Sequence, residues 1–295
     1  MLSRKKDQCG RGKERLFSDL CLVPSVLGVL IFFIVPFGIV IYYSLIGNAN
    51  SKEFVGLANY TKLLHNDAFI SAAKNTAMFS LTAVPLAVIL PMGLAALLER
   101  DIPCRSLLRT LFLSPLMVPS ASVVLVWQVL FHNHGTINQF IENFGGKGID
   151  WMNSGQGQIV IVLMFLWKNM GYNMILFMSA LCGIPKDIIE VADLEGAGRL
   201  YKFIHIKLRY LSPTILFVLI LSLINSFKVF REVYLLTGEH PLEKLYMLQH
   251  FMNNTFNNFD YQKLSAAAVL FAVVMAVIIA ILLIAENIFG KDVEN

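Results

Sequence analysis

The sequence predicts an all-helical integral membrane protein with six transmembrane segments. Three observations carry this. Hydrophobic residues make up 56% and charged residues 15% of the 295 positions, where a soluble domain has roughly 45–50% and about 25%. Six apolar stretches are each long enough to cross a hydrocarbon core about 30 Å thick, which takes roughly 20 helical residues. Lysine and arginine also alternate in density from one loop to the next. The formal charge of +4 is too small to imply nucleic acid as a partner. The short alternating segments of a membrane β-barrel are absent.

The spans cover residues 21–45, 76–98, 107–131, 159–181, 213–236 and 264–288. The first, third and sixth are the clearest, and the fifth turns polar beyond Leu223. Pro85 and Pro91 lie in the second and Pro115 and Pro119 in the third, where neighbouring helices can compensate the missing hydrogen bonds. The first run is too long for a secretory leader and has no small-residue cleavage site after it.

Orientation follows from the basic residues, which concentrate on the cytoplasmic side. Arg4, Lys5, Lys6, Arg11, Lys13 and Arg15 precede the first span. Arg100, Arg105 and Arg109 separate the second from the third, and Lys186, Arg199, Lys202, Lys207 and Arg209 the fourth from the fifth. With Lys291 they total fifteen of 24, against six in the opposite loops. Both termini are therefore expected in the cytoplasm. Cys9, Cys21, Cys104 and Cys182 fall on or near that side, where thiols stay reduced, and no disulfide is expected.

Four segments result: a charged tail at 1–20, the first span with an outer amphipathic segment at 21–75, a membrane core at 76–288, and a tail at 289–295. In the outer segment Phe54, Leu57, Tyr60, Leu63 and Leu64 recur at helical spacing, predicting a short amphipathic helix. The loop 132–158 is rich in Gly and Asn, and 237–263 forms a third outer loop. Trp151 and Tyr60 read as interface anchors. His132 and His134 lack further nearby ligands, so no metal site is expected.

The long cytoplasmic loop is the most informative segment. After Pro185, Lys186-Asp187 open a helical pattern whose apolar side is Ile188, Ile189, Ala192 and Leu194. Gly196-Ala197-Gly198 breaks it, since glycine permits a sharp turn. A second amphipathic stretch, 200–208, returns to the membrane at Pro213. By periodicity alone this is a helix–turn–helix at the inner membrane surface, and a purely structural interfacial helix fits equally well.

The loop resembles the EAA loop of bacterial binding-protein-dependent ABC importers. Glu190, Ala192, Gly196, Ala197, Phe203, Ile206, Leu208, Leu211 and Pro213 match its pattern at the right spacing. Val191 replaces an Ala and Glu195 an Asp, keeping chemical type. Arg209 replaces a Pro and does not. The segments at 22–45, 54–64, 112–131, 135–141 and 226–238 are similar to the maltose- and glycerol-phosphate-type sugar permeases, in particular to the F-type member of a heterodimeric pair. The resemblance implies a type I ABC importer permease fold in the bacterial inner membrane. It implies a second permease subunit, two ATP-binding subunits that carry ATP and Mg, and an extracellular binding protein delivering a carbohydrate-like solute. No cofactor is implied on this chain. In this resemblance the loop 184–213 holds a coupling helix docked in a groove of the ATPase, with Glu190, Ala192, Glu195, Gly196, Ala197 and Phe203 as its coupling residues.

Polar groups inside a span usually face a cavity or a partner. Lys168, Asn169, Tyr172 and Asn173 recur at three- and four-residue steps near the middle of span four, and Asn225 lies near the middle of span five. Amides beside an aromatic face suit a polyhydroxylated solute, so these five are candidates for the solute path. Plain interhelical hydrogen bonding is the competing role for the asparagines and Tyr172. Lys228, Arg231 and Glu232 are expected to pair among themselves or to snorkel to the outer interface.

No phosphate-binding G-x-x-x-x-G-K-[ST] occurs, since Gly145-Gly146-Lys147-Gly148 lacks the upstream Gly and the following hydroxyl. The main rival is an ion-coupled secondary transporter. It would show internal repeats and glycine-broken spans, and neither is evident. A membrane-embedded enzyme would need a His/Asp/Glu cluster at one depth, and none is present in the spans.

Overall fold

The computed structural model describes residues 22–47, 53–99, 103, 105–239 and 241–289. The expected tails, and Cys9, Cys21 and Cys104, lie outside these apart from the first residue of the C-terminal one; Cys182 is an exposed free thiol. Among the described residues the secondary structure is helical, with one isolated β-bridge, Ile46 to Phe54. The chain divides into two units, one of Met1–His65 with Thr255–Val273 and one of Asn66–Asn254 with Val274–Asn295.

In the first unit, α1 (Leu22–Leu45) widens into a π turn at Leu30–Ile34. Pro36 follows at once and has no N–H to continue the regular ladder. No described residue of α1 before Ser44 is buried in this chain, as suits a helix whose surroundings are lipid. The amphipathic pattern becomes α2 (Ala58–Leu64), clamped to the end of α1. Asn59 Nδ2 donates to the Ser44 and Ile46 carbonyls at 2.9 and 2.8 Å, and the Tyr60 and Ser44 hydroxyls meet at 2.7 Å. Tyr60 therefore has an internal partner for its hydroxyl.

The second unit is built on α3 (Asp67–Leu98). The helix starts nine residues before the predicted span, because Asn66 caps it by accepting from the Phe69 N–H at 3.1 Å. It packs along α7 (Gly157–Cys182) and α10 (Ser212–Lys228). Ala83 and Ala87 of α3 let Ile161 and Phe165 of α7 approach closely. A second cluster joins Val88, Ala95 and Leu98 to Met174, Phe177 and Leu181, with Leu211 and Val218 closing it.

The third span corrects the expectation of one continuous helix. It is a pair, α4 (Arg105–Met117) and α5 (Ser120–Leu130), bent by 103°. Pro119 has no N–H for the ladder and forces the residue before it out of the helical region. A Cβ on Gly171 would fall on the Phe112 carbonyl, so glycine at 171 is what lets α4 lie against α7.

Outside the spans, α6 (Thr136–Asn143) carries Asn138, whose Oδ1 accepts from the Trp151 indole at 3.0 Å. Trp151 is thus tied within its own loop. The last outer segment holds α12 (Leu248–Asn257). Asn75 Nδ2 bonds the Glu243 and Tyr246 carbonyls that lead into it. The last helix, α13, is Tyr261–Phe289. Between them, α8 (Lys186–Leu194), α9 (the helical run 199–210, with a π turn at Lys202–Lys207) and α11 (Phe230–Thr237) complete the chain.

Candidate solute cavity and coupling loop

The solute-path candidates lie on α7 and α10, but the structure separates them. Lys168, Asn169 and Asn225 line one cavity of about 180 Å³, together with Leu116, Met164, Phe165, Lys228, Val229 and Glu232. Asn169 Nδ2 donates to the Phe165 carbonyl at 2.8 Å, the bond one turn back along its own helix. Its Oδ1 is thereby aimed at Asn225 Nδ2, 3.0 Å away. The pair presents amide edges to the cavity beside an apolar wall.

Two candidates are not brought there. Asn173 is 1% exposed and bonds the Ala87 carbonyl at 2.8 Å and the Ser222 hydroxyl at 3.1 Å. It therefore joins α3, α7 and α10 as an interhelical bond. Tyr172 does not line the cavity and is exposed.

The expectation for Glu232 is also corrected. Its carboxylate pairs with Lys168, whose ammonium also donates to the Ser120 hydroxyl at 3.0 Å. The Glu232 side chain is 7% exposed and that of Lys168 29%, so the partner is across the bundle and no snorkelling occurs. The physical reason is a break at Val229 between α10 and α11, which removes the single-helix geometry that would have paired Lys228 with Glu232. Lys168 thus links α7 to α11 and to the first residue of α5.

Sequence reasoning also passed over His250 on α12. It is fully buried, with Nδ1 accepting the Met247 N–H at 3.2 Å and Nε2 without a partner. Its ring meets Phe230 at 4.6 Å. Burial pushes its pKa down to about 4. A lone histidine in an outer loop carries no sequence signal for this.

In the cytoplasmic loop, α8 ends in a two-bond cap. The Ala197 N–H donates to the Ala192 carbonyl at 2.9 Å and the Gly196 N–H to Asp193 at 3.1 Å, with Gly196 at φ 78°. This is the Schellman arrangement, which places a left-handed residue after the helix. A Cβ on Gly196 would meet nothing within 4 Å, so glycine is required by the dihedral and not by crowding inside this chain. Ile189 and Ala192 pack inward, while Glu190, Glu195 and Val191 are exposed and Leu194 is 89% exposed. Lys202 pairs with Asp193. Lys207 reaches both Glu99 oxygens at 2.5 and 2.7 Å, tying the loop to the end of α3. Phe203 is half-buried beside it.

A bundle of membrane helices with a polar cavity at mid-span and a capped helix presented on the loop between its two lining helices defines a transport permease. The chain belongs to the family described as the inner membrane component of binding-protein-dependent transport systems, which it matches over residues 87–295. It is 30% identical over 229 residues to the sn-glycerol-3-phosphate transport system permease protein UgpA of Yersinia enterocolitica, covering 76% of this chain and 78% of that one. Against its Escherichia coli counterpart the identity is 32% over 222 residues, covering 73% and 74%. The fold matches a bacterial ABC transporter involved in import of the acidic polysaccharide alginate, with TM-score 0.81, 21% identity and 96% and 98% coverage. A bacterial alginate ABC transporter in complex with an alginate pentasaccharide-bound periplasmic protein gives TM-score 0.84, 21% identity and 95% and 96% coverage. The chain is thus an ABC importer permease of the inner membrane, and the ion-coupled alternative falls away.

Proposed function

We propose that the chain, with a second permease subunit, forms the path for a carbohydrate-like solute delivered by an external binding protein. Two separate ATPase subunits, carrying ATP and Mg, drive it from the cytoplasm, where both termini lie. The observation that carries this reading is connectivity. The loop is joined at one end to α7 and at the other to α10, the helices that bear Asn169 and Asn225. Its internal cap and its two ion pairs make it a stiff lever, so a force on α8 moves both cavity walls where a slack loop would absorb it. Exposed Glu190, Glu195, Val191 and Leu194 form the contact for the ATPase, with Ala192, Gly196, Ala197 and Phe203 holding the shape. The cavity of about 180 Å³ is below the roughly 300–1,000 Å³ of ligand pockets, which fits a site completed by a second subunit. Relatives named for sn-glycerol 3-phosphate and alginate favour a polyhydroxylated solute.

The test exploits the open space at Gly196. Gly196→Asn keeps a residue that tolerates φ near 78°, whereas Gly196→Val adds strain on the order of 1–3 kcal/mol. Val should abolish solute-stimulated ATP hydrolysis in the purified complex and Asn should retain most of it. Glu190→Lys should weaken co-purification of the ATPase. Wild-type stimulation and association in both Gly196→Val and Glu190→Lys would remove the coupling role from this loop.

A further inference from the structure

Against the cytoplasmic loop lies a groove of about 680 Å³, separate from the cavity at Asn169 and Asn225. One wall is Gly93, Ala96 and Leu97 on the last turns of α3; the other is Ile189, Leu200 and Phe203 of the loop. The α3 wall belongs to a membrane span, and Leu97 is 51% and Leu200 72% exposed. Among the described residues the groove is also lined by Arg199, Lys202 and Lys207, against one carboxylate, Glu99. Lys207 neutralises Glu99, and Lys202 is held by Asp193. Arg199 has no carboxylate partner among the described residues. The surface is thus apolar where it continues a span and cationic where the loop crosses the headgroup layer.

We propose that this groove binds an anionic phospholipid of the cytoplasmic leaflet. An acyl chain lies along Gly93, Ala96 and Leu97, and the headgroup phosphate meets Arg199 with Lys202 and Lys207 beside it. A soluble anion would leave the apolar wall uncovered, and a neutral lipid would leave the cationic excess unanswered. Basic pockets at the cytoplasmic end of spans are suited to such headgroups, and the guanidinium fork matches a phosphate in two parallel bonds. A lipid seated here bridges α3 to the coupling loop, so lipid composition would bear on how firmly the lever is held. Leaflet assignment rests on the orientation proposed above.

The experiment uses the complete transporter in detergent, washed with vesicles of phosphatidylcholine containing phosphatidylglycerol, followed by native mass spectrometry of retained lipid. Wild type should retain phosphatidylglycerol in preference to phosphatidylcholine. Arg199→Glu should reduce that retention by about five-fold or more, since each basic group near an anionic headgroup contributes roughly that factor. Leu97→Trp, which fills the apolar wall without touching a charge, should reduce retention of both lipids. ATPase subunit stoichiometry in the same spectra reports on assembly. Equal retention of the two lipids by wild type would overturn the proposal. So would unchanged retention in Arg199→Glu. Loss of a protein subunit with lipid retention intact would assign the groove to a protein partner instead.

Discussion

The Lys168–Glu232 pair allows an asymmetric prediction. Breaking a buried ion pair by removing one partner typically costs about 3–5 kcal/mol, because the remaining charge has lost its compensation. The two charges here are not equally stranded. Lys168→Met leaves a carboxylate whose side chain is 7% exposed, and the full penalty applies. Glu232→Gln leaves an ammonium that is 29% exposed, opens on the cavity and keeps Ser120. Hydration there reduces the cost to about 1–2 kcal/mol. Combining the two changes, Lys168→Met with Glu232→Gln, removes the stranded charge altogether. The double variant should then fall short of the summed singles by about 2 kcal/mol. At roughly 2–4 °C per kcal/mol, Lys168→Met should lower the melting temperature of the purified complex by about 10 °C and Glu232→Gln by about 4 °C. The double variant should sit nearer wild type than Lys168→Met does. Differential scanning fluorimetry on all four forms measures this. Equal single effects would refute the argument from exposure, and strict additivity in the double would show that the two groups do not compensate one another.

Two further outcomes follow from buried polar groups. Asn173→Ala should cost about 1–2 kcal/mol of stability by stranding Ser222 while leaving solute preference alone, whereas Asn169→Ala and Asn225→Ala should change preference in uptake assays with little change in melting. The reverse pattern would exchange their roles. The folded-state pKa of His250, about 4, lies below the usual 6.5, so the unfolded chain binds more protons between these values and stability falls as pH drops through that window; up to about 3 kcal/mol is lost by pH 4. His250→Phe should flatten the melting temperature over pH 4–6.5 relative to wild type, and an unchanged slope would place the titrating group elsewhere.

What the sequence made legible was local. The apolar runs need only a bilayer to become helices, and the cap at Gly196 closes within six residues, from Ala192 to Ala197. What it left dark depends on neighbours distant in the chain. Four prolines lie in the second and third predicted spans, yet Pro85, Pro91 and Pro115 sit inside continuous helices, and only Pro119 marks a sharp break. Proline type alone could not choose among them. The choice is made by Gly171 accepting the α4 backbone and by Lys168 holding Ser120.

The polar stripe failed for a related reason. Residues 168, 169, 172 and 173 fan over about 140° of helix surface at 100° per residue, too wide for one environment. Its edges face different partners: Lys168 meets α11 and Asn173 meets α3 and α10, while Tyr172 between them is exposed. Likewise Lys228 and Glu232 are four apart, the spacing that pairs charges on one helix, and the break at Val229 cancels it. A carboxylate 95% buried in a span must then find its cation elsewhere. Lys168 is the one that α7 delivers to it, 64 residues away. The pair therefore ties the break at Val229 and the bent α4–α5 pair to the cavity wall, so the candidate solute site and the irregular backbone around it have to be tested together.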